Sequence, residues 1–244
     1  MRDWLTARPI AHRGLHDAAA GVIENTASAF RAAIDGGYGI ECDLQVSADG
    51  EAMVHHDDVL GRLTDGAGRL DAMTVAALQR VSFKATADRM MTLGDLLDLV
   101  AGRVTLLLEL KSRFDRDARL ARRVAEVVKT YAGPVAAMSF DPDQVEAVRD
   151  FAPALVRGLV AMRYRRADAE ESGGQPSHLA YLAHALRCRP HFVAYNVKDL
   201  PAPAPLAARH LLAKPLLTWT VRTPEDRARA ERFADQMIFE GFRP

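Results

Sequence analysis

Gly39-Ile40-Glu41-Cys42-Asp43-Leu44 reads as one buried strand that carries two acids. Ile40, Cys42 and Leu44 alternate with Glu41 and Asp43, and a period of two sends both carboxylates to one face, roughly 7 Å apart at about 3.3 Å per residue. Two such acids on a strand that otherwise packs are costly unless a cation or basic groups compensate them. The chain turns at Ser47–Gly50, and Glu51–His56 reads as a second short extended run ending in two histidines. Carboxylates suited to a hard cation and an imidazole suited to proton transfer thus fall close together.

Outward from this strand the chain has a β-then-α rhythm. Pro9–His12 is a short apolar run ending in His12-Arg13-Gly14, and a helix follows from Asn25, with Phe30, Ala33 and Ile34 at helical spacing and Gly36-Gly37 as its stop. From 57 to 89 the rhythm breaks into Gly- and Asp-rich turns around a short helical stretch, Thr74–Val81, which reads as an insertion. Leu93, Leu96, Leu97 and Val100 then predict an amphipathic helix, capped by Thr92 and closed by Gly102. Further strands are expected at Val104–Leu110, Pro134–Met138, Leu155–Val160, His191–Tyr195, Leu216–Val221 and Gln236–Phe239. The helices between them carry Leu120, Val124, Val127 and Tyr131; start at Asp141-Pro142; carry Leu179, Leu182 and Leu186; lie around Pro205–Leu212; and start at Thr223-Pro224-Glu225-Asp226. Eight strands separated by seven helix-like segments favour an α/β fold of the closed (β/α)8 type over an open sheet. A chain of 244 residues is an ordinary size for one such domain.

Thirty-two basic residues balance thirty-two acidic ones, so no global field draws nucleic acid or an anionic membrane. The two cysteines, Cys42 and Cys188, make no disulfide framework and read as reduced packing residues. Met1–Pro9 holds no uninterrupted apolar core, and no later stretch approaches ~20 apolar residues. The expectation is a soluble, cytoplasmic protein with no stable membrane anchor.

In a barrel of this kind, chemistry is built where strands end at the C-terminal rim. His12 and Arg13 end strand one, Glu41 and Asp43 strand two, Glu109 and Lys111 strand three, and Trp219 is near the end of strand seven. Three carboxylates, without a suitably spaced cysteine or histidine cluster, describe an oxygen-ligand site for Mg²⁺ or Ca²⁺ rather than a zinc site. Arg13 and Lys111 add the positive charge that a phosphate requires. Trp219 either packs the core or lines the substrate pocket. Strand parity puts His55 and His56 on opposite faces without saying which faces the site. Arg163-Tyr164-Arg165-Arg166, after strand five, either reaches a headgroup or phosphate or forms a solvated charge cluster.

His12-Arg13-Gly14, Glu24-Asn25-Thr26 with Ala29-Phe30, Glu41-x-Asp43, Asp49-Gly50, His56-Asp57 followed by Leu60 and Arg62, and Glu109-x-Lys111 resemble, in this order, the signature of the glycerophosphodiester phosphodiesterase family. Ser139-Phe140 and Trp219-Thr220-Val221 extend the likeness. The resemblance implies a TIM barrel spanning 1–244 as a single domain, with residues 57–89 as a small insertion after strand two. It also implies one divalent cation, Mg²⁺ or Ca²⁺, held by Glu41, Asp43 and Glu109, with His12 and His56 as the acid–base pair. The expected reaction is cleavage of a small-molecule glycerophosphodiester, such as glycerophosphocholine or glycerophosphoethanolamine, to sn-glycerol 3-phosphate and an alcohol. Ile23 replaces the usual proline before Glu-Asn-Thr, Gly94-Asp95 stands where paired glutamates are common, and Phe239-Glu240-Gly241-Phe242 replaces a Thr-Asp-x-Pro ending. Two other readings are a lysophospholipase D-like activity, with Phe83, Met90 and Met91 either lining an apolar groove or simply packing the insertion, and a catalytically silent barrel that binds phosphodiesters.

Overall fold

The computed structural model describes residues 3–163 and 185–244. After β1 (Ile10–Ala11) and β2 (Gly39–Val46), three short strands lie outside the barrel wall: β3 (Ala52–Val54), β4 (Val59–Leu60) and β5 (Gly68–Arg69). The wall continues with β6 (Leu106–Leu110), β7 (Val135–Ser139), β8 (Val156–Ala161), β9 (Phe192–Asn196), β10 (Leu216–Val221) and β11 (Gln236–Phe239). These wall strands pair in parallel from β2 through β6 to β11, and β1 closes the ring by pairing with both β11 and β2. The result is the closed (β/α)8 TIM barrel that the rhythm of the sequence predicts.

The helices are α1 (Ala27–Asp35), α2 (Val75–Leu78), α3 (Leu93–Val100), α4 (Arg119–Val128), α5 (Pro142–Phe151), α6 (Ala185–Cys188), α7 (Pro203–His210) and α8 (Pro224–Phe233). Side chains alternate across each wall strand. Ile40, Cys42, Leu44, Leu106, Leu108 and Leu110 pack outward with Phe30 of α1, the apolar face of α3 and Leu120 and Val124 of α4. The opposite parity fills the interior, where Leu107 meets Ile10, Met138, Phe192, Leu217 and Ile238. On α3 the four predicted apolar residues are all buried, worth on the order of 1.5–3 kcal/mol each. The Thr92 cap is a full capping box: Thr92 Oγ1 accepts the Asp95 N–H at 3.1 Å and Asp95 Oδ2 accepts the Thr92 N–H at 2.9 Å.

Several boundaries differ from the sequence reading. The predicted helix around Pro205–Leu212 starts earlier, at Pro203, a residue tolerated in a first turn, and Leu211 and Leu212 fall beyond it at 79% and 63% exposure. Tyr131 lies past the end of α4, where its hydroxyl accepts the Gly102 N–H at 2.9 Å. Residues 57–89 hold the β4–β5 ribbon and α2 around a small apolar cluster that Ile23, Met53 and Met90 complete. Phe83 and Met90 are buried in that cluster with Met53, Leu60, Leu70 and Leu78, so of the two readings they pack the insertion. Of the predicted helix with Leu179, Leu182 and Leu186, only α6 falls among the described residues; Tyr164, Arg165 and Arg166 lie outside them. Among the described residues, no helix is long and apolar enough to cross a membrane.

Candidate active site

Parity on β2 turns Glu41 and Asp43 into the barrel, where each is 1% exposed. The β2–β6 register sets Glu109 directly beside Asp43, and one oxygen from each of the three acids lies within 4.8 Å of the other two. Burial, then the charges of Asp43 and Glu109, push Glu41 well above the ordinary carboxylate value. Its Oε1 is buried without a hydrogen-bond partner. Asp43 behaves oppositely: burial pushes it up, but Lys111 and Arg13 outweigh that and hold it far below its usual range. Lys111 Nζ is 2.8 Å from Asp43 Oδ1 and is also paired to Glu109. Arg13 Nε is 3.2 Å from Asp43 Oδ2, an ion pair whose angle misses hydrogen-bond alignment.

The loops that deliver these groups are held in unusual backbone conformations. Arg13 and Asn25 both adopt the left-handed region at φ +57. The first aims the Arg13 N–H at Glu41 Oε2, 2.9 Å away. The second lets the buried Asn25 amide clamp Asp43, donating from Nδ2 to Oδ2 at 2.8 Å and accepting the Asp43 N–H at 3.2 Å. Gly14, at φ +80, lies so close to α1 that an added Cβ would be 2.9 Å from Ala29. Arg13 also reaches Glu24 at 2.7 Å, and Glu24 in turn binds Arg62 at 2.6 Å.

Two histidines flank the acids. His12 follows β1 with Nε2 4.0 Å from Glu41 Oε2, and its Nδ1 is 2.7 Å from Glu240 Oε2. Burial pushes Glu240 up, but hydrogen bonds from His12 and Arg222 outweigh it and hold the carboxyl down at about 2. Sequence reasoning missed Glu240, seeing there only an altered ending, although its place just after β11 puts it on the rim where chemistry is expected. His16 was missed too; its Nε2 is buried, 4.0 Å from Glu240 Oε2, and burial lowers its pKa. Parity left His55 and His56 undecided. His55 is buried beside Phe83, whereas His56 opens on a cleft and is fixed by Asp57 Oδ1, 2.8 Å from its Nδ1.

That cleft has a volume of about 510 Å³ and is lined by His56, Glu109, Lys111, Ser112, Phe140 and Asp141 on its barrel side. Trp219 stands edge-on to Phe140 with ring centroids 5.3 Å apart, packed over the interior core, and its indole N–H is buried without a partner. The structure thus brings His12, Arg13, Glu41, Asp43, Glu109 and Lys111 into one cluster.

A cation fits that cluster. Three carboxylates crowd into one buried site, burial and their like charge disfavour the ionised form of Glu41, one of its oxygens is orphaned, and an all-oxygen donor set suits Mg²⁺ or Ca²⁺. The arrangement can bind a phosphate against a metal and place an imidazole on its flank.

Comparison with known proteins agrees with this geometry. The family model described as the glycerophosphoryl diester phosphodiesterase family matches residues 12–240. A glycerophosphodiester phosphodiesterase of Caldanaerobacter subterraneus subsp. tengcongensis is 28% identical over 230 residues, covering 90% of this chain and 88% of that one. The Bos taurus glycerophosphodiester phosphodiesterase 1 is 43% identical over 83 residues, 33% of this chain and 23% of that one. Among solved structures, an Oleispira antarctica phosphodiesterase in complex with the product sn-glycerol-3-phosphate has a TM-score of 0.77 at 20% identity, covering 97% of this chain and 94% of that one. A Thermotoga maritima glycerophosphodiester phosphodiesterase has a TM-score of 0.71 at 23% identity, covering 94% and 92%.

Proposed function

We propose, from the premise that the chain belongs to the glycerophosphoryl diester phosphodiesterase family and is a glycerophosphodiester phosphodiesterase, that it hydrolyses glycerophosphocholine or glycerophosphoethanolamine with the help of a divalent cation. The products are sn-glycerol 3-phosphate and the headgroup alcohol. The observation that carries this reading is the buried cluster of Glu41, Asp43 and Glu109, with Glu41 Oε1 left without a partner. These three residues would hold Mg²⁺ or Ca²⁺, whose chemistry when bound is Lewis-acid polarisation of the phosphoryl oxygens. Arg13 and Lys111 bind the phosphate and offset the charge that develops on it.

His12 and His56 are the acid–base pair, one taking the proton of the nucleophile and the other returning a proton to the leaving alcohol. Each contributes on the order of 10²–10⁴-fold. Glu240 and Asp57 orient them through Nδ1, which leaves Nε2 of each ring for proton transfer. Trp219 contributes to the substrate pocket through its ring, which stands edge-on to Phe140 of the cleft. Residues 1–244 act as one domain in which 57–89 is an insertion, and the buried thiol of Cys42 suits a reducing cytoplasm.

The test is sn-glycerol 3-phosphate release from both substrates by EDTA-stripped protein with Mg²⁺, Ca²⁺ or Mn²⁺ restored, beside Glu41→Ala. Release that needs the ion and disappears in Glu41→Ala is the expected result. Full activity after stripping would remove the metal from the mechanism.

A further inference from the structure

Closure of the barrel assembles a second set of ligand atoms, apart from the carboxylate cluster. His12 after β1, His16 in the same loop and Glu240 after β11 each place one nitrogen or oxygen within 4.8 Å of the other two. Glu240 Oε2 is 2.7 Å from His12 Nδ1 and 4.0 Å from His16 Nε2. Ligand atoms around a tetrahedral Zn²⁺ stand roughly 3.3 Å apart, and these separations bracket that value. His16 Nε2 is buried with no hydrogen bond reaching it, a costly state that an ion would relieve. The loop is built to hold it there: the Leu15 N–H donates to Ala29 O at 3.0 Å, and Asp17 bridges to Val22.

Two imidazoles and one carboxylate favour Zn²⁺, Co²⁺ or Ni²⁺, whereas Glu41, Asp43 and Glu109 offer oxygen alone. We propose that His12, His16 and Glu240 form a transition-metal site of their own, and that Zn²⁺ bound there switches the enzyme off. Coordination through His12 Nδ1 uses the lone pair of that nitrogen, so the single proton of the neutral ring leaves its place between Nδ1 and Glu240. Exchange through solvent returns it to the ring on Nε2, the nitrogen 4.0 Å from Glu41, where the metal-bound tautomer fixes it. That nitrogen can no longer accept a proton, and the imidazolium needed to give one up cannot form. Arg222, bound to Glu240 at 2.8 Å, is 54% exposed and turns into solvent as the carboxylate takes the ion. The loss of turnover rests on the acid–base role proposed for His12; the metal site does not.

The experiment titrates Zn²⁺ by calorimetry, and Co²⁺ by its visible absorption, into protein saturated with Mg²⁺. Wild type and Glu41→Ala are expected to bind both ions. His16→Ala and His16→Asn should bind them at least about tenfold more weakly, since even partners of a ligand change metal affinity by about 10–100-fold. In the activity assay Zn²⁺ inhibits wild type, and His16→Ala requires about tenfold more of it, in step with that loss of affinity. Unchanged Zn²⁺ affinity in both His16 variants, or its loss in Glu41→Ala, overturns the site. Binding that depends on His16 but leaves turnover intact overturns the switch.

Discussion

Glu240→Ala removes the partner of His12 Nδ1 while leaving every acid of the proposed cation cluster in place. The bond is 2.7 Å long, and Glu240 is held down at about 2, so it is ionised at any pH at which the enzyme would be assayed. A hydrogen bond to a charged group contributes roughly 1.5–3 kcal/mol. Its full strength develops only when His12 carries a second proton, so the loss falls on the transition state. At about 1.36 kcal/mol per factor of ten, kcat should drop by about 10–150-fold. KM should change little, because Glu240 lies on the side of the imidazole away from Glu41. The other partner released, Arg222, is more than half exposed and adds little through its surface pairing. Glu240→Gln keeps an acceptor without the charge and should fall between wild type and alanine. The assay is initial-rate release of sn-glycerol 3-phosphate under saturating Mg²⁺, with thermal melting as a folding control. A folded Glu240→Ala protein that keeps more than half of the wild-type kcat, or that loses only KM, refutes the positioning role.

Asn25→Ala removes both hydrogen bonds between the amide and Asp43; Mg²⁺ or Mn²⁺ affinity measured by calorimetry should fall about 10–100-fold, and unchanged affinity would show that Lys111 and Arg13 suffice to fix the carboxylate. Thr92→Ala breaks the capping box of α3 and should cost about 1 kcal/mol, read as a melting shift of about 2–4 °C; no shift would mean that packing alone holds the helix. Asp226 is buried and ion-paired to Lys198 at 2.7 Å, and although burial pushes its pKa up, the ion pair with Lys198 and the hydrogen bond from the Arg222 N–H bring it below the ordinary value. A depressed folded value stabilises the protein above the unfolded pKa of about 3.9, and that contribution is lost as pH falls through the folded value. Acid unfolding of Asp226→Asn should therefore depend less on pH below about 4 than that of wild type, and parallel acid-unfolding curves would rule this out.

The two-residue period of Gly39–Leu44 determined by itself that Glu41 and Asp43 share a face, and the β-then-α rhythm determined the barrel, because both are properties of residues adjacent along the chain. Helix α3 was equally legible, with its apolar spacing and Thr92 cap contained in one short segment. Tertiary structure alone decided what depends on partners distant in sequence. The register of β2 on β6 places Glu109 beside Asp43 rather than one residue away. Packing of His55 against Phe83 leaves His56 as the histidine on the cleft, a choice that parity cannot make. Glu240 meets His12 and His16 only because β11 closes on β1, joining His12 to a residue 228 positions away. Periodicity records which way a side chain points; which side chains it then meets is set by how the strands pair when the barrel closes.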